Sequence, residues 1–261
     1  MQRRSIIYLL LLIGFVAGSV VHSSAQTRKP KPKPKQTAPQ MQAPEPPLPK
    51  GKSSKEGASQ STKAAQVFGE IMGTPDKGVP TDLLNKAECV AVFPSVIKAG
   101  FIIGAKAGRG AASCRTRSGW SAPAFLELKG GSVGLQVGGQ STDVILLFMN
   151  TEGLKKLINN KLELGADASI AAGPVGREAA ASTDASLNAE ILSYSRSKGL
   201  FAGISLKGSV VSPDKSDMEG TYGDSVTALQ VLEASNTRAP VEVRSFPNKL
   251  SQFSKRTSGS D

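Results

Sequence analysis

The sequence predicts an α+β fold: a mainly antiparallel, strongly curved β-sheet or two packed sheets in a meander, with a few short helices at the N-terminus, middle and C-terminus. Three observations carry this expectation. From Glu88 to Met149 the chain is a series of short apolar runs broken by Gly and Pro, the texture of strands and turns. The links between those runs are too short for parallel crossovers, which need a dozen or more residues. Helical periodicity is confined to a few short stretches outside this region.

The two ends of the 261-residue chain add little to a core. Residues 1–25 read as a secretory signal, with Arg3 and Arg4 before the apolar run Ile6 to Val21 and a small-residue cleavage site at Ser23-Ser24-Ala25. The alternative is an uncleaved anchor, although the run is shorter than the roughly 20 residues a spanning helix prefers. Residues 26–56 form a Lys/Pro-rich linker in which Pro alternates with Lys from Lys29 to Lys35. Fixed φ angles and like charges keep such a segment extended and disordered. Residues 1–56 carry ten Lys/Arg against Glu45 and Glu56, so +8 of the formal net charge of +11 sits there and only +3 remains for the rest. The linker reads either as a cationic tether for anionic lipid or envelope polyanions or as a solvated spacer.

The folded domain is expected over 57–240. Ala64, Val67, Phe68, Ile71 and Met72 fall on one face of an amphipathic helix over Ala58–Met72, ended by Gly73 and Pro75. That face suits a core, or a lipid surface entered by Phe68 and Met72. Pro80-Thr81-Asp82 opens a second short helix. Strands are expected at Cys89–Phe93, Phe101–Ala107, Ala111–Arg117, Ala122–Leu128, Ser132–Val137 and Asp143–Met149, separated by Pro94, Gly108-Arg109-Gly110, Ser118-Gly119, Gly130-Gly131 and Gly139-Gln140-Ser141. Val144 to Met149 is apolar on both faces and reads as a central strand. Asn150 or Thr151 caps a helix through Ile158, and the small residues from Leu164 to Gly176 imply close backbone approach. Ile191–Tyr194 and Leu200–Leu206 form a hairpin around Ser195–Gly199, with Arg196 and Lys198 at its tip. Ser212-Pro213-Asp214 is read as a turn and Asp224 as the N-cap of a helix over Ser225–Ala234. Residues 241–261 are read as a short helix opening at Ser245-Phe246-Pro247 and a disordered tail.

The only histidine is His22, within the expected signal. His-dependent nucleophile pairs and His-ligated zinc are thereby removed from the mature chain. Asp143, Asp167, Asp184 and Glu190 lie on separate expected elements and define no catalytic pair. Neither glycine-rich run fits a phosphate-binding loop or a dinucleotide fingerprint. No enzyme, cofactor or metal site is expected. Cys89 and Cys114 are the two cysteines, and an exported chain leaves a disulfide and two buried thiols both open. Arg177 pairs internally with Asp167 or Asp184, or faces an anionic ligand.

Six ordered segments, CVAVFP from Cys89, KAGF from Lys98, GWSAP from Gly119, SVGLQVG from Ser132, GPVGR from Gly173 and YSRSKGLFAG from Tyr194, resemble the SYLF domain family. The likeness runs from about Ala64 to Glu233. It implies a lipid-binding module that takes acidic phospholipid, phosphoinositides in eukaryotic members, through basic surface and an N-terminal amphipathic helix. Some yeast members also bind actin, a partner that an exported chain is not expected to meet. The family has no established catalytic residues. The SH3 or FYVE domains of some eukaryotic relatives, and the lipobox Cys of some bacterial ones, have no counterpart in these residues.

The expected contacts are Lys63, Arg109, Arg115, Arg117, Arg177, Arg196 and Lys198, which cluster at predicted turns and strand ends, with Phe201 and Trp120 as apolar wedges and Phe68 on the helix. Taken singly, each cation reads first as a solvated surface charge. The expected partner is an anionic membrane lipid, or else an envelope polyanion or protein partner reached by the linker. No nucleic acid is expected for an exported, periplasmic or extracellular and membrane-associated chain.

Overall fold

A strand that folds back on its own length organises the domain. In the computed structural model, β1 (Cys89–Thr116) runs for 28 residues, which would span roughly 90 Å if straight. Its first arm, Cys89 to Lys98, pairs with β4 (Gln140–Phe148). Its second arm, Ile102 to Ala112, pairs with β3 (Ala124–Gly134). The bend between them holds Gly100 at φ 149°, a backbone region that favours glycine. At the far end the arms meet again: the Arg115 amide donates to the Glu88 carbonyl at 2.7 Å, and Cys89 and Cys114 form a disulfide with their Cα atoms 4.0 Å apart.

The structure describes residues 46–74, 78–134, 140–150, 161–175, 188–197 and 200–254, with backbone alone at 101–103 and 132–134. The chain divides into two units, Met1–Ala43 and Pro44–Asp261, and the described residues all belong to the second. The expected signal, most of the linker, the helix after Asn150 and the tail after Ser254 lie outside the described residues.

The other strands are β2 (Gly119–Trp120), β5 (Leu162–Glu163), β6 (Ile170–Ala172), β7 (Ile191–Ser197), β8 (Leu200–Gly203) and β9 (Ser209–Pro213). The sheet order is β5-β9-β3-β1-β4-β7-β6, with β2 on β1 and β8 on β7. Every pairing is antiparallel except β6 with β7. The result is the strongly curved, mainly antiparallel sheet of an α+β fold, bent into a half-barrel. Val144 to Phe148 are buried on both faces of β4 between β1 and β7, and β7 and β8 form the expected hairpin.

Two expected turns are strand interior. Gly108-Arg109-Gly110 continues β1: a Cβ on Gly108 would stand 2.7 Å from Val96 Cγ2, and one on Gly110 2.8 Å from Phe93 Cδ1. These glycines let the two arms touch. Gly130 and Gly131 continue β3 opposite Lys106 and Ala105. Pro94 does not end a strand either, because the register shifts between Phe93 and Val96 and a bulge accommodates its missing N–H. Among the small residues after Leu164, Gly173 lies against the Tyr194 ring, where a Cβ would enter the ring itself.

The helices close one side. They are α1 (Lys55–Met72), α2 (Thr81–Lys86), α3 (Lys215–Tyr222), α4 (Ala228–Glu233) and α5 (Ser245–Phe253). In α1 Ala64, Val67, Phe68 and Ile71 are buried, and Phe68 meets Phe246 and Phe253 of α5 edge-on at 6.3 and 5.8 Å. Two expectations fail between β9 and α4. Asp214 is not a turn residue but the N-cap of α3, accepting from the Asp217 amide. Asp224 caps nothing, and α4 starts from a Thr227–Gln230 capping box. Asp224 lacks what Thr227 has, a Gln three positions on that can return the hydrogen bond.

Candidate functional site

A groove of about 390 Å³ opens where α1 crosses the doubled strand. Gln60 and Lys63 come from α1, Pro94, Ser95 and Ile97 from the first arm of β1, Ala107, Gly108 and Arg109 from the second, and Glu127 and Lys129 from β3. Three cations face one carboxylate. Strand register explains the grouping: Arg109 sits opposite Glu127 and Ala107 opposite Lys129, so these outward positions share a face. Lys129 pairs with Glu127 but is 65% exposed, and Lys63 is exposed.

Arg109 reaches the groove while anchored from below. Its Nε lies 2.9 Å from Asp214 Oδ2 and its Nη1 3.6 Å from Asp217 Oδ1, both carboxylates being buried, yet its side chain is 44% exposed. Burial first, and then the neighbouring Asp214 charge, pushes the Asp217 carboxyl above its ordinary value; Arg109 opposes that, while Glu56 and Glu127 add to it. A raised folded pKa means that the native state holds the proton more tightly than the unfolded chain does. The associated stability is present below the ordinary carboxyl pKa and is lost as pH rises through the raised value. Asp217→Asn should therefore unfold at a higher temperature than the parent near neutral pH, with an advantage that shrinks toward pH 4. Thermal unfolding across that range checks it, and a parent more stable than the variant at pH 7 would show that ionised Asp217 is a net gain through Arg109.

The groove wall is pinned. Ser95 takes a left-handed φ of 53°, and its amide donates to Asp143 Oδ1 at 2.9 Å. Asp143 also accepts from Arg196 Nη2 at 2.7 Å and Nε at 3.0 Å, while Arg196 Nη1 lies 2.7 Å from Glu70 Oε2 on α1. Hydrogen bonds from Gln66 and then Arg196 hold the Glu70 carboxyl below its usual range.

Of the expected contacts, the structure brings Lys63 and Arg109 together. Arg196 is committed to Asp143 and Glu70, so it locks the bulge and does not reach for a ligand. Arg115 stacks on Trp120 at 3.9 Å and donates to the carbonyls of Leu84, Ala87 and Ser254. Trp120 is 3% exposed with its Nε1 donating to the Ser254 carbonyl, and Phe68 is fully buried. Neither is a surface wedge, because each fills the core where α5 closes over the sheet. Phe201 stacks on Tyr194 at 5.4 Å. Arg117 is exposed in the turn after β1, away from the groove. Arg177 and Lys198 lie outside the described residues; the Asp167 carboxylate accepts from the Glu163 amide at 2.7 Å. Sequence reading missed Lys129, whose signal was the Glu127-Leu128-Lys129 alternation. It also missed the Asp214/Asp217 pair, whose i, i+3 spacing was hidden by reading a turn there.

Among the described residues no group of three or more His, Cys, Asp and Glu is placed to hold a metal ion, and no helix is long and apolar enough to cross a membrane. An open basic groove over a doubled strand marks this face of the domain. Residues 129–253 match the family model Ysc84, described as "Las17-binding protein actin regulator". LAS seventeen-binding protein 3 of Saccharomyces cerevisiae is 37% identical over 174 residues, 65% of this chain and 37% of the relative. Protein YSC84 of the same yeast is 33% identical over 184 residues, 67% of this chain and 39% of the relative. SH3 domain-containing YSC84-like protein 1 of Xenopus laevis is 32% identical over 206 residues, 76% of this chain and 61% of the relative. The chain belongs to the Ysc84, or SYLF-domain, family. It spans less than two fifths of the yeast relatives and about three fifths of the frog one.

Proposed function

We propose that this chain is an exported, non-enzymatic SYLF-domain protein that binds acidic phospholipid headgroups at membranes through the groove of Lys63, Arg109 and Lys129. The observation that carries the reading is the gathering of three cations from three elements around one carboxylate, on a domain whose own net charge is small. Binding of an anion is then a local effect of one patch, each Lys near an anionic surface contributing about 1 kcal/mol. The Cys89–Cys114 disulfide supports an oxidising compartment, and with it export to the periplasm or the extracellular space. The Las17 binding in the yeast name belongs to a protein of which the match spans 37%, and the proposal rests instead on the groove. A second reading, in which alternating Lys and Pro in the linker bind envelope polyanions or a protein partner, is favoured by the concentration of charge there.

Sedimentation of the full chain with phosphatidylcholine vesicles, with and without phosphatidylglycerol, separates the two. Binding should require the anionic lipid, and Lys63→Gln with Lys129→Gln should weaken it roughly fivefold per charge. If instead Lys29, Lys31, Lys33 and Lys35→Gln abolish binding while the groove variant leaves it intact, the linker is the binder.

A further inference from the structure

Three large hydrophobic side chains stand out as exposed among the described residues: Ile97 at 59%, Leu200 at 78% and Val241 at 74%. Two of them share one end of the half-barrel. Ile97 precedes Lys98, which pairs with Gln140 in β4; Gln140 Nε2 donates to Ser197 Oγ at 2.8 Å in β7, and Ser197 pairs with Leu200 in β8. Strand pairing therefore carries Ile97 and Leu200 to the same rim, beside the bend of β1, where Ile97, Lys98, Ala99 and Gly100 are exposed in succession.

The same rim holds two lysines, Lys98 and Lys106. Doubling of β1 brings Lys106 of the second arm within electrostatic reach of Lys98 on the first, and burial followed by that like charge pushes the Lys106 ammonium pKa down. Neither lysine has a carboxylate at ion-pair distance among the described residues. Exposed aliphatic side chains cost free energy in water, and so does a partly buried ammonium beside a like charge. An anionic lipid surface relieves both, taking the apolar groups below the headgroups and neutralising the ammonium groups with phosphate.

We infer that the open rim of the half-barrel is the membrane-seating edge of the protein, with Ile97 and Leu200 entering the lipid and Lys98 and Lys106 meeting its phosphates. The inference rests on the lipid-binding reading above and adds an orientation to it: the bend of β1 points at the bilayer and the groove opens beside it. Val241, equally exposed, stays in water.

Tryptophan placed at each position tests this in the full chain, because the single native Trp120 is buried and supplies a constant background. Ile97→Trp and Leu200→Trp should shift to shorter emission wavelength on phosphatidylcholine/phosphatidylglycerol vesicles and be quenched by brominated acyl chains, while Val241→Trp and the parent stay unchanged. In the Ile97→Trp chain, Lys98→Gln with Lys106→Gln should weaken binding roughly fivefold per charge. Vesicle sedimentation without quenching at positions 97 and 200 would overturn the rim and leave lipid binding standing. Quenching at 241 equal to that at 97 would overturn it too, and absence of sedimentation would overturn both readings.

Discussion

Gly110→Ala should destabilise the domain by about 3 kcal/mol or more, lowering its melting temperature by roughly 6 to 12 °C. The new methyl group would stand 2.8 Å from Phe93 Cδ1 and 2.9 Å from Phe93 Cα, and closer still to the Val92 carbonyl oxygen. Two of those obstacles are backbone, so relief requires parting the arms of β1, and the arms are held by neighbours on both outer edges. Gly131→Ala is the control. It lies in a strand as Gly110 does, but a Cβ there meets nothing within 4 Å, and the substitution should be neutral or slightly stabilising because it narrows the unfolded ensemble. Urea unfolding of both variants decides the matter, and a Gly110→Ala chain within 1 kcal/mol of the parent would mean that the arms do not touch as described.

Removing the disulfide should cost about as much. Cys89 and Cys114 are 25 residues apart in sequence, and a cross-link closing a loop of that length restricts the unfolded chain by about 3 kcal/mol in the chain-entropy account. The Cys89→Ala, Cys114→Ala chain should unfold at correspondingly lower urea. Reductant should lower the midpoint of the parent toward that of the variant while leaving the variant unmoved. Equal midpoints for the oxidised parent and the variant would remove the disulfide from the stability of the fold. The bond and Gly110 secure the same contact between arms, so the cysteine changes and Gly110→Ala should not add independently.

Much of the architecture was legible locally. The α1 stripe predicts its buried face because 3.6-residue periodicity survives in any helix that packs on a core. The doubly apolar run from Val144 to Phe148 predicts a central strand because both of its faces are covered. The β7–β8 hairpin follows from two apolar runs around a short polar link. The continuity of β1 was not legible, since a glycine in a turn and a glycine pressed against another backbone leave the same mark in a sequence. Only the Val92 and Phe93 atoms over Gly110 distinguish the two cases.

The candidate site divides in the same way. Lys63 and Arg109 were named from their positions near element ends, but naming cations does not assign their partners. Arg196 looked like a free tip residue, yet its partners Asp143 and Glu70 come from β4 and α1, and nothing local to Ser195-Arg196-Ser197 announces them. Phe68 suited either a core or a lipid surface and Trp120 read as an apolar wedge, but both are buried where α5 closes over the sheet.

By itself the sequence determined the fold class, the family, the amphipathic helix, the central strand and the placement of most of the positive charge outside the domain. Those properties depend on periodicity, composition and ordered motifs, each contained within a short stretch of chain. The tertiary structure alone decided that one strand doubles back on itself, which cations are neutralised inside the fold, and that Lys63, Arg109 and Lys129 share a groove. Those outcomes depend on distances between residues remote in sequence, which are set by how the sheet curves.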